Sequence, residues 1–160
     1  ASSGIGAHAA ERLARKGASV ALVGRNEQRL NEASERIKSA GSPAALAIVA
    51  DVTVDAERII NETINHFGKL NVLINNASIY SRNSIENMDL NEYDRIMNTN
   101  MRSVIQLTKL AVPHLEKTKV NAINPVAIRT PLFETSVGMT PQQAEAFFES
   151  FKNIYPCWTC

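Results

Sequence analysis

Two hydrophobic periods alternate along the chain. Ala9, Ala10, Leu13 and Ala14 fall at helical spacing directly after Ala1-Ser2-Ser3-Gly4-Ile5-Gly6, which predicts a helix opening at the glycines. Ala18-Ser19-Val20-Ala21-Leu22-Val23, held between Gly17 and Gly24, is almost wholly apolar, as a strand buried on both faces would be. Asn26 can cap a second helix with Leu30, Ala33 and Ile37 on its inner side and Gly41 as its stop. A second strand is expected over residues 45–50. After Asp51 a third helix carries Ile59, Ile60, Ile64 and Phe67 and ends at Gly68, and Leu70 to Ile74 reads as the third strand. Asn100 to Glu116 is helix-like, with Val104, Leu107, Leu110 and Ala111 on one side, and Val120 to Pro125 follows as a further strand.

Strands separated by capped helices of this length require crossover connections, hence a parallel sheet covered by helices on both faces: an α/β, doubly wound fold in a single domain over residues 1–160. In such sheets ligands bind beyond the carboxyl ends of the strands. The segments to inspect are therefore Gly24-Arg25, Asp51-Val52 and Asn75-Asn76-Ala77-Ser78. The opening glycines add a specific chemistry. A G-x-G pair at the mouth of a helix lets backbone approach a ligand closely, and the unpaired amides of the first turn attract an anion such as phosphate. A tight turn without a ligand would leave the same pattern. A phosphate-binding turn of this kind sits between a strand and a helix, so a chain opening inside the turn is expected to lack the first strand.

Composition narrows the classes of partner. With 160 residues, 44% hydrophobic and 21% charged, the chain can build a core. Its net charge is +1 and its basic residues are scattered, so no footprint for nucleic acid or an anionic membrane is present. No apolar run has the length of a membrane span, and a soluble intracellular, cytoplasmic protein is the default expectation. Cys157 and Cys160 form a C-x-x-C, but His8, His66 and His114 are scattered without ligand spacing, so no metal site is expected.

Taken in order, S-S-G-I-G at the start, Asp51-Val52, the N-N-A at Asn75 to Ala77, Asn100 within N-T-N-M-R-S, and N-P-V-A-I-R-T-P from Asn124 to Pro131 resemble the successive motifs of the short-chain dehydrogenase/reductase family. The general similarity is to its 3-oxoacyl-[acyl-carrier-protein] reductase-like branch. The resemblance implies a Rossmann-type fold and hydride transfer between a nicotinamide nucleotide and a small carbonyl or alcohol substrate. It also implies roles for single residues. Ser3, Gly4, Ile5 and Gly6 would line the phosphates, Asp51 and Val52 the adenine, and Asn75 and Ala77 the ribose side. Asn100 would support a proton relay through water, and Ile128 and Thr130 would hold the nicotinamide carboxamide. Asn75 and Asn76 could instead simply end a strand.

Charge bears on which nucleotide is bound. An NAD site places a carboxylate after the second strand of the fold for the ribose 2′-hydroxyl, whereas an NADP site needs a cation for the 2′-phosphate. Gly24 stands at the carboxylate position and Arg25 follows it, so NADP is favoured over NAD. The solvated-loop reading of Arg25 is the alternative.

The same resemblance exposes a gap. The family's acid/base tyrosine is followed four residues later by lysine, yet Tyr80 is followed by Ser84, Tyr93 by Met97 and Tyr155 by Thr159. Lys117-Thr118-Lys119 runs directly into what resembles the family's next strand but one, so the strand bearing the serine and the helix bearing tyrosine and lysine are expected to be missing as a block. Asn100 is then the one remaining member of the catalytic set. In the family the long helix containing Leu107 and Leu110 pairs with that missing helix across a four-helix interface, so the homotetramer is not expected to form, and the uncovered apolar face predicts aggregation or a non-native dimer. Thr140-Pro141-Gln142-Gln143 opens a further helix with Ala144, Phe147, Phe148 and Phe151 as an aromatic stripe, read either as a flap over the substrate or as ordinary core.

Overall fold

The structure is a computed structural model that describes residues 1–81, 83, 85–115, 120–122, 140–143 and 145–146. Ile128, Thr130, the aromatic stripe and the C-x-x-C lie outside the described residues.

Helix α1 (Gly4–Ala14) begins after an extended Ser3, with Gly4 at φ 58°, a left-handed conformation that a side chain would resist. It leads to β1 (Val20–Gly24), then α2 (Glu27–Ser39), β2 (Ala45–Val49), α3 (Ala56–Phe67) and β3 (Leu73–Asn75). Asn26 caps α2 by accepting from the Arg29 N–H at 2.9 Å, and Gly68 closes α3 at φ 72°, so both sequence-read boundaries hold. β1 and β2 are parallel, with Val20 opposite Ala45 and Gly24 opposite Val49.

Alternation along these strands divides two cores. Leu22 packs with Ala10, Ala14, Leu30, Ala33 and Ile37, beside Ala45 and Ala47, on the side of α1 and α2. Ile48 packs with Ile59, Ile60, Leu107 and Ala111, beside Ala21, Val23 and Leu46, on the side of α3 and the later helix. Odd and even strand positions thus face opposite layers, which is the doubly wound α/β arrangement the hydrophobic runs imply.

Two features depart from a single continuous sheet. Among the described residues the strands form two parallel pairs, β1 with β2 and β3 with β4 (Val120–Ala122). Ala1 lies against β1 at the edge facing away from β2: its amino group donates to the Val23 carbonyl, whereas the Gly24 carbonyl accepts from Ala50 on the β2 side. The strand after Lys119 is the direct hydrogen-bonded neighbour of β3, with Leu73 opposite Val120 and Asn75 opposite Ala122. Nothing intervenes between them.

The helix expected from Asn100 starts ten residues earlier. Asp89 accepts from the Asn91 N–H at 3.2 Å and opens α4 (Leu90–Met97), which continues through a π-helical turn (Asn98–Arg102) into α5 (Ser103–Ala111). Two hydroxyls bond back to carbonyls one turn earlier across this region, Thr99 to Arg95 at 3.0 Å and Ser103 to Thr99 at 2.6 Å, a pattern that bends helices. The asparagine-rich run N-T-N therefore widens the helix without ending it. At the far end, Thr140 and Gln143 exchange bonds of 3.2 and 2.9 Å, the capping box their spacing implies.

Candidate functional site

The motif residues among those described meet at the carboxyl ends of β1, β2 and β3. Ser3 is exposed and its hydroxyl makes no capping bond to the helix. The first turn of α1 carries no acidic residue that would oppose an anion at its amides. Gly6 is buried, and a Cβ added there would stand 2.8 Å from the Asn76 Nδ2 and 3.3 Å from the Ala1 Cα. A side chain at this position would have to move the Asn76 carboxamide, so the absence of a Cβ lets that group close against α1. At Gly24 the nearest atom to an added Cβ is the Ser2 Oγ at 3.4 Å, so the end of β1 abuts the turn that opens α1.

Beyond Gly24 the Arg25 guanidinium projects into solvent, 73% exposed, with Nη1 3.6 Å from the Asp51 Oδ2. The other Asp51 oxygen accepts from the Thr53 N–H at 2.9 Å and the Thr53 hydroxyl at 2.7 Å. Burial alone would raise the Asp51 carboxyl, but the Thr53 bonds and the Arg25 charge outweigh it and hold it below its ordinary value. Asp55 returns the favour by accepting from the Asp51 N–H at 2.8 Å, which stiffens the turn. Val52 packs its side chain against the α3 core.

The asparagines divide their work in a way the sequence did not reveal. Asn75 is buried, and its Nδ2 is directed at the Thr108 hydroxyl on α5 at 3.3 Å, away from the strand end. It is Asn76 that reaches Gly6. Ala77 follows, exposed. Asn100 uses both ends of its carboxamide on one residue of the loop after β3: Oδ1 accepts from the Ile79 N–H at 2.9 Å, and Nδ2 donates to the Ile79 carbonyl at 2.8 Å. The π turn aims this side chain at the loop. Asn76 could have been found beforehand only by knowing that a side chain must close against a glycine in α1.

These contacts form one arc from Asp51 through Arg25, Gly24, Ser2 and the α1 turn to Asn76, and from there along the loop to Ile79 and Asn100. A shallow surface along Glu27, Gln28, Asn31, Glu32 and Glu35 runs on the exposed side of α2 and shares none of these residues. The arc offers an anion-receptive helix start, a forked cation and a carboxylate, which suits an extended phosphorylated ligand.

A family profile described as short chain dehydrogenase matches residues 1–130. The chain belongs to the short-chain dehydrogenase family. Members of this family are oxidoreductases that use nicotinamide nucleotides on small molecules. The chain is 41% identical over 121 residues to 11-beta-hydroxysteroid dehydrogenase-like 4A of Arabidopsis thaliana, which covers 74% of this chain and 40% of that protein. With 11-beta-hydroxysteroid dehydrogenase-like 3 of the same plant it shares 37% over 158 residues, 95% of this chain and 51% of that protein. The chain thus spans about half or less of the length of these relatives. Their names do not carry the 3-oxoacyl reductase placement.

Among solved structures, a short-chain dehydrogenase/reductase of unknown function from Caenorhabditis elegans, with cofactor, superposes with a TM-score of 0.87 at 25% identity, over 97% of this chain and 78% of that one. An NADH-dependent reductase complexed with NAD gives 0.70 at 29%, over 94% and 66%. An alcohol dehydrogenase from Thermococcus sibiricus complexed with 5-hydroxy-NADP shares the fold at 0.72 and 23%, over 97% and 68%. Both nucleotides occur among these neighbours, so likeness does not choose between them. Among the described residues no helix is long and apolar enough to cross a membrane.

Proposed function

We propose that this chain supplies the nucleotide site of an NADP-dependent oxidoreductase acting on a carbonyl or alcohol. The observation that carries the reading is the arc itself: Gly24 where a competing carboxylate would stand, and beside it Arg25, exposed and tied to Asp51 only by a long ion pair. Exposed pairs of this kind contribute about 0–1 kcal/mol, so a phosphate can draw the guanidinium away at little loss. Ser3, Gly4, Ile5 and Gly6 would take the bridging phosphates, Asp51 and Val52 the adenine, Ala77 and the backbone of Asn75, whose side chain is occupied with Thr108, the ribose side, and Ile128 and Thr130 the nicotinamide. The nucleotide, when bound, supplies or takes the hydride. The part of this chain's own residues is to bind and orient, with Asn100 holding the loop after β3 in place through Ile79.

One observation favours a second reading, a chain that binds nucleotide or a partner without turnover. The general acid that protonates the new alkoxide contributes typically 10²–10⁴-fold, and no tyrosine here is followed four residues on by lysine. The two readings share the binding claim and part at chemistry. Calorimetric titration of residues 1–160 with NADPH and with NADH tests the first, with tighter NADPH expected. Following NADPH absorbance with ketones, 3-oxoacyl thioesters and an 11-oxo steroid separates them. Turnover above a heat-denatured control supports an active chain, and binding without turnover supports the second reading.

A further inference from the structure

Asp51 and Val52 stand in the turn between β2 and α3, and one side chain from α3 grips that turn from both sides. Arg58 Nη2 donates to the carbonyl of Val49, the last residue of β2, at 2.8 Å, and stands 3.4 Å from the Asp55 Oδ2. The same Asp55 oxygen accepts from the Asp51 N–H at 2.8 Å. Asp51 is thus bracketed: its amide is held through Asp55, and the strand end just before it is held by the guanidinium directly. Glu62 accepts from the other arm of the fork, Nη1, at 2.9 Å, which fixes where the guanidinium stands. The Asp51 N–H, and after it Arg58, hold the Asp55 carboxyl below its ordinary value against the opposing effect of desolvation.

Helix stability does not account for these residues. Arg58 lies in the first turn of α3, where the helix dipole opposes a cation, and it precedes Glu62, the less favourable order for a pair four residues apart. Asp55 occupies the cap position of α3, yet its side chain makes no capping bond to the helix and turns back to Asp51. Both side chains forgo what they could give the helix and serve the turn. From Asp51 the contacts run on to Arg25, whose Nη1 is 3.6 Å from the Asp51 Oδ2. We infer that Asp55 and Arg58 are positioning residues for the adenine end of a bound nucleotide, acting through Asp51 by setting the place of its amide and carboxylate. This role rests on the nucleotide reading proposed above. Adenine is common to NADPH and NADH, so loss of either residue weakens both, unlike loss of Arg25.

Calorimetric titration of residues 1–160 with NADPH and with NADH reads the role, each variant being compared at matched circular dichroism. Asp55→Ala should weaken both nucleotides by about fivefold and Arg58→Ala by about threefold. Arg58 is exposed, so Arg58→Ala carries the test alone should Asp55→Ala unfold. Asp55→Asn, whose side-chain oxygen can still accept from the Asp51 N–H, should bring affinity back to within about twofold of wild type. The double variant should lose less than the product of the two single losses, because both act on one carboxylate. Arg15→Ala, which removes an exposed ion pair from α1, should change neither nucleotide. In the free chain the ¹⁵N shift of the Asp51 amide should move on Asp55→Ala and stay on Arg15→Ala. A wild-type chain that binds neither nucleotide would overturn the nucleotide reading and this role with it. Wild-type binding that Arg58→Ala leaves intact, losses confined to NADPH, an Asp55→Asn as weak as Asp55→Ala, or single losses that multiply in full would overturn the positioning role alone.

Discussion

Replacing Arg25 by alanine separates the two nucleotides. In the free chain the guanidinium is 73% exposed and its one ion pair, with Asp51 at 3.6 Å, is longer than a good hydrogen bond, so removing it should change stability by no more than about 0.5 kcal/mol. Its value lies in the bound state. A hydrogen bond to a charged group contributes about 1.5–3 kcal/mol, and each 1.4 kcal/mol is tenfold, so NADPH should weaken about 10- to 100-fold. Release from Asp51 offsets only a few tenths of a kcal/mol of that. NADH has no 2′-phosphate and should change by less than about twofold. Calorimetry at two salt concentrations adds a check, because an exposed phosphate contact is screened and the selectivity should narrow as salt rises. Equal losses for both nucleotides, or unaltered NADPH affinity, would refute the role given to Arg25 and return it to a solvated loop charge.

Other substitutions probe the rest of the arc. Gly6→Val must displace Asn76 or Ala1, both too close to an added Cβ, and should weaken NADPH and NADH alike by about tenfold or more, unlike Arg25→Ala, when both are titrated. Asn100→Ala strands the N–H and carbonyl of Ile79; the cost of about 1–3 kcal/mol should lower the thermal midpoint by about 3–8 °C in circular dichroism. The Asp51 carboxyl is held below its ordinary 3.8, so the unfolded chain protonates first; its stabilisation is full above that value and is lost as pH falls through the folded one. Urea midpoints of wild type and Asp51→Asn should therefore run parallel above about pH 5 and converge below about pH 4.

Much of this was legible in the sequence because local signals and burial agree. Leu30, Ala33 and Ile37 fall at helical spacing between a capping asparagine and a glycine, and all three are buried. The apolar runs ending at Gly24 and near Val49 became paired strands for the same reason. The start of the long helix was hidden because its upstream apolar residues, Leu90, Tyr93 and Met97, face solvent, and an N-T-N run looks like a break. The partition of Asn75 and Asn76 was not legible either. Asn75 ends β3 and Asn76 opens the loop after it, and nothing in the dipeptide says which of them meets α5 and which meets α1.

We propose that one arc at the strand ends holds an NADP nucleotide, and titrating the ¹⁵N-labelled chain with NADP⁺ while following amide shifts puts that placement to the test. Saturable shifts should concentrate at Ser3 to Gly6, Gly24 and Arg25, Asp51 and Val52, and Asn76 and Ala77, while the amides of Glu32, Glu35 and Met101 stay still. No shifts at millimolar nucleotide, or shifts along α2 in place of the arc, would overturn it.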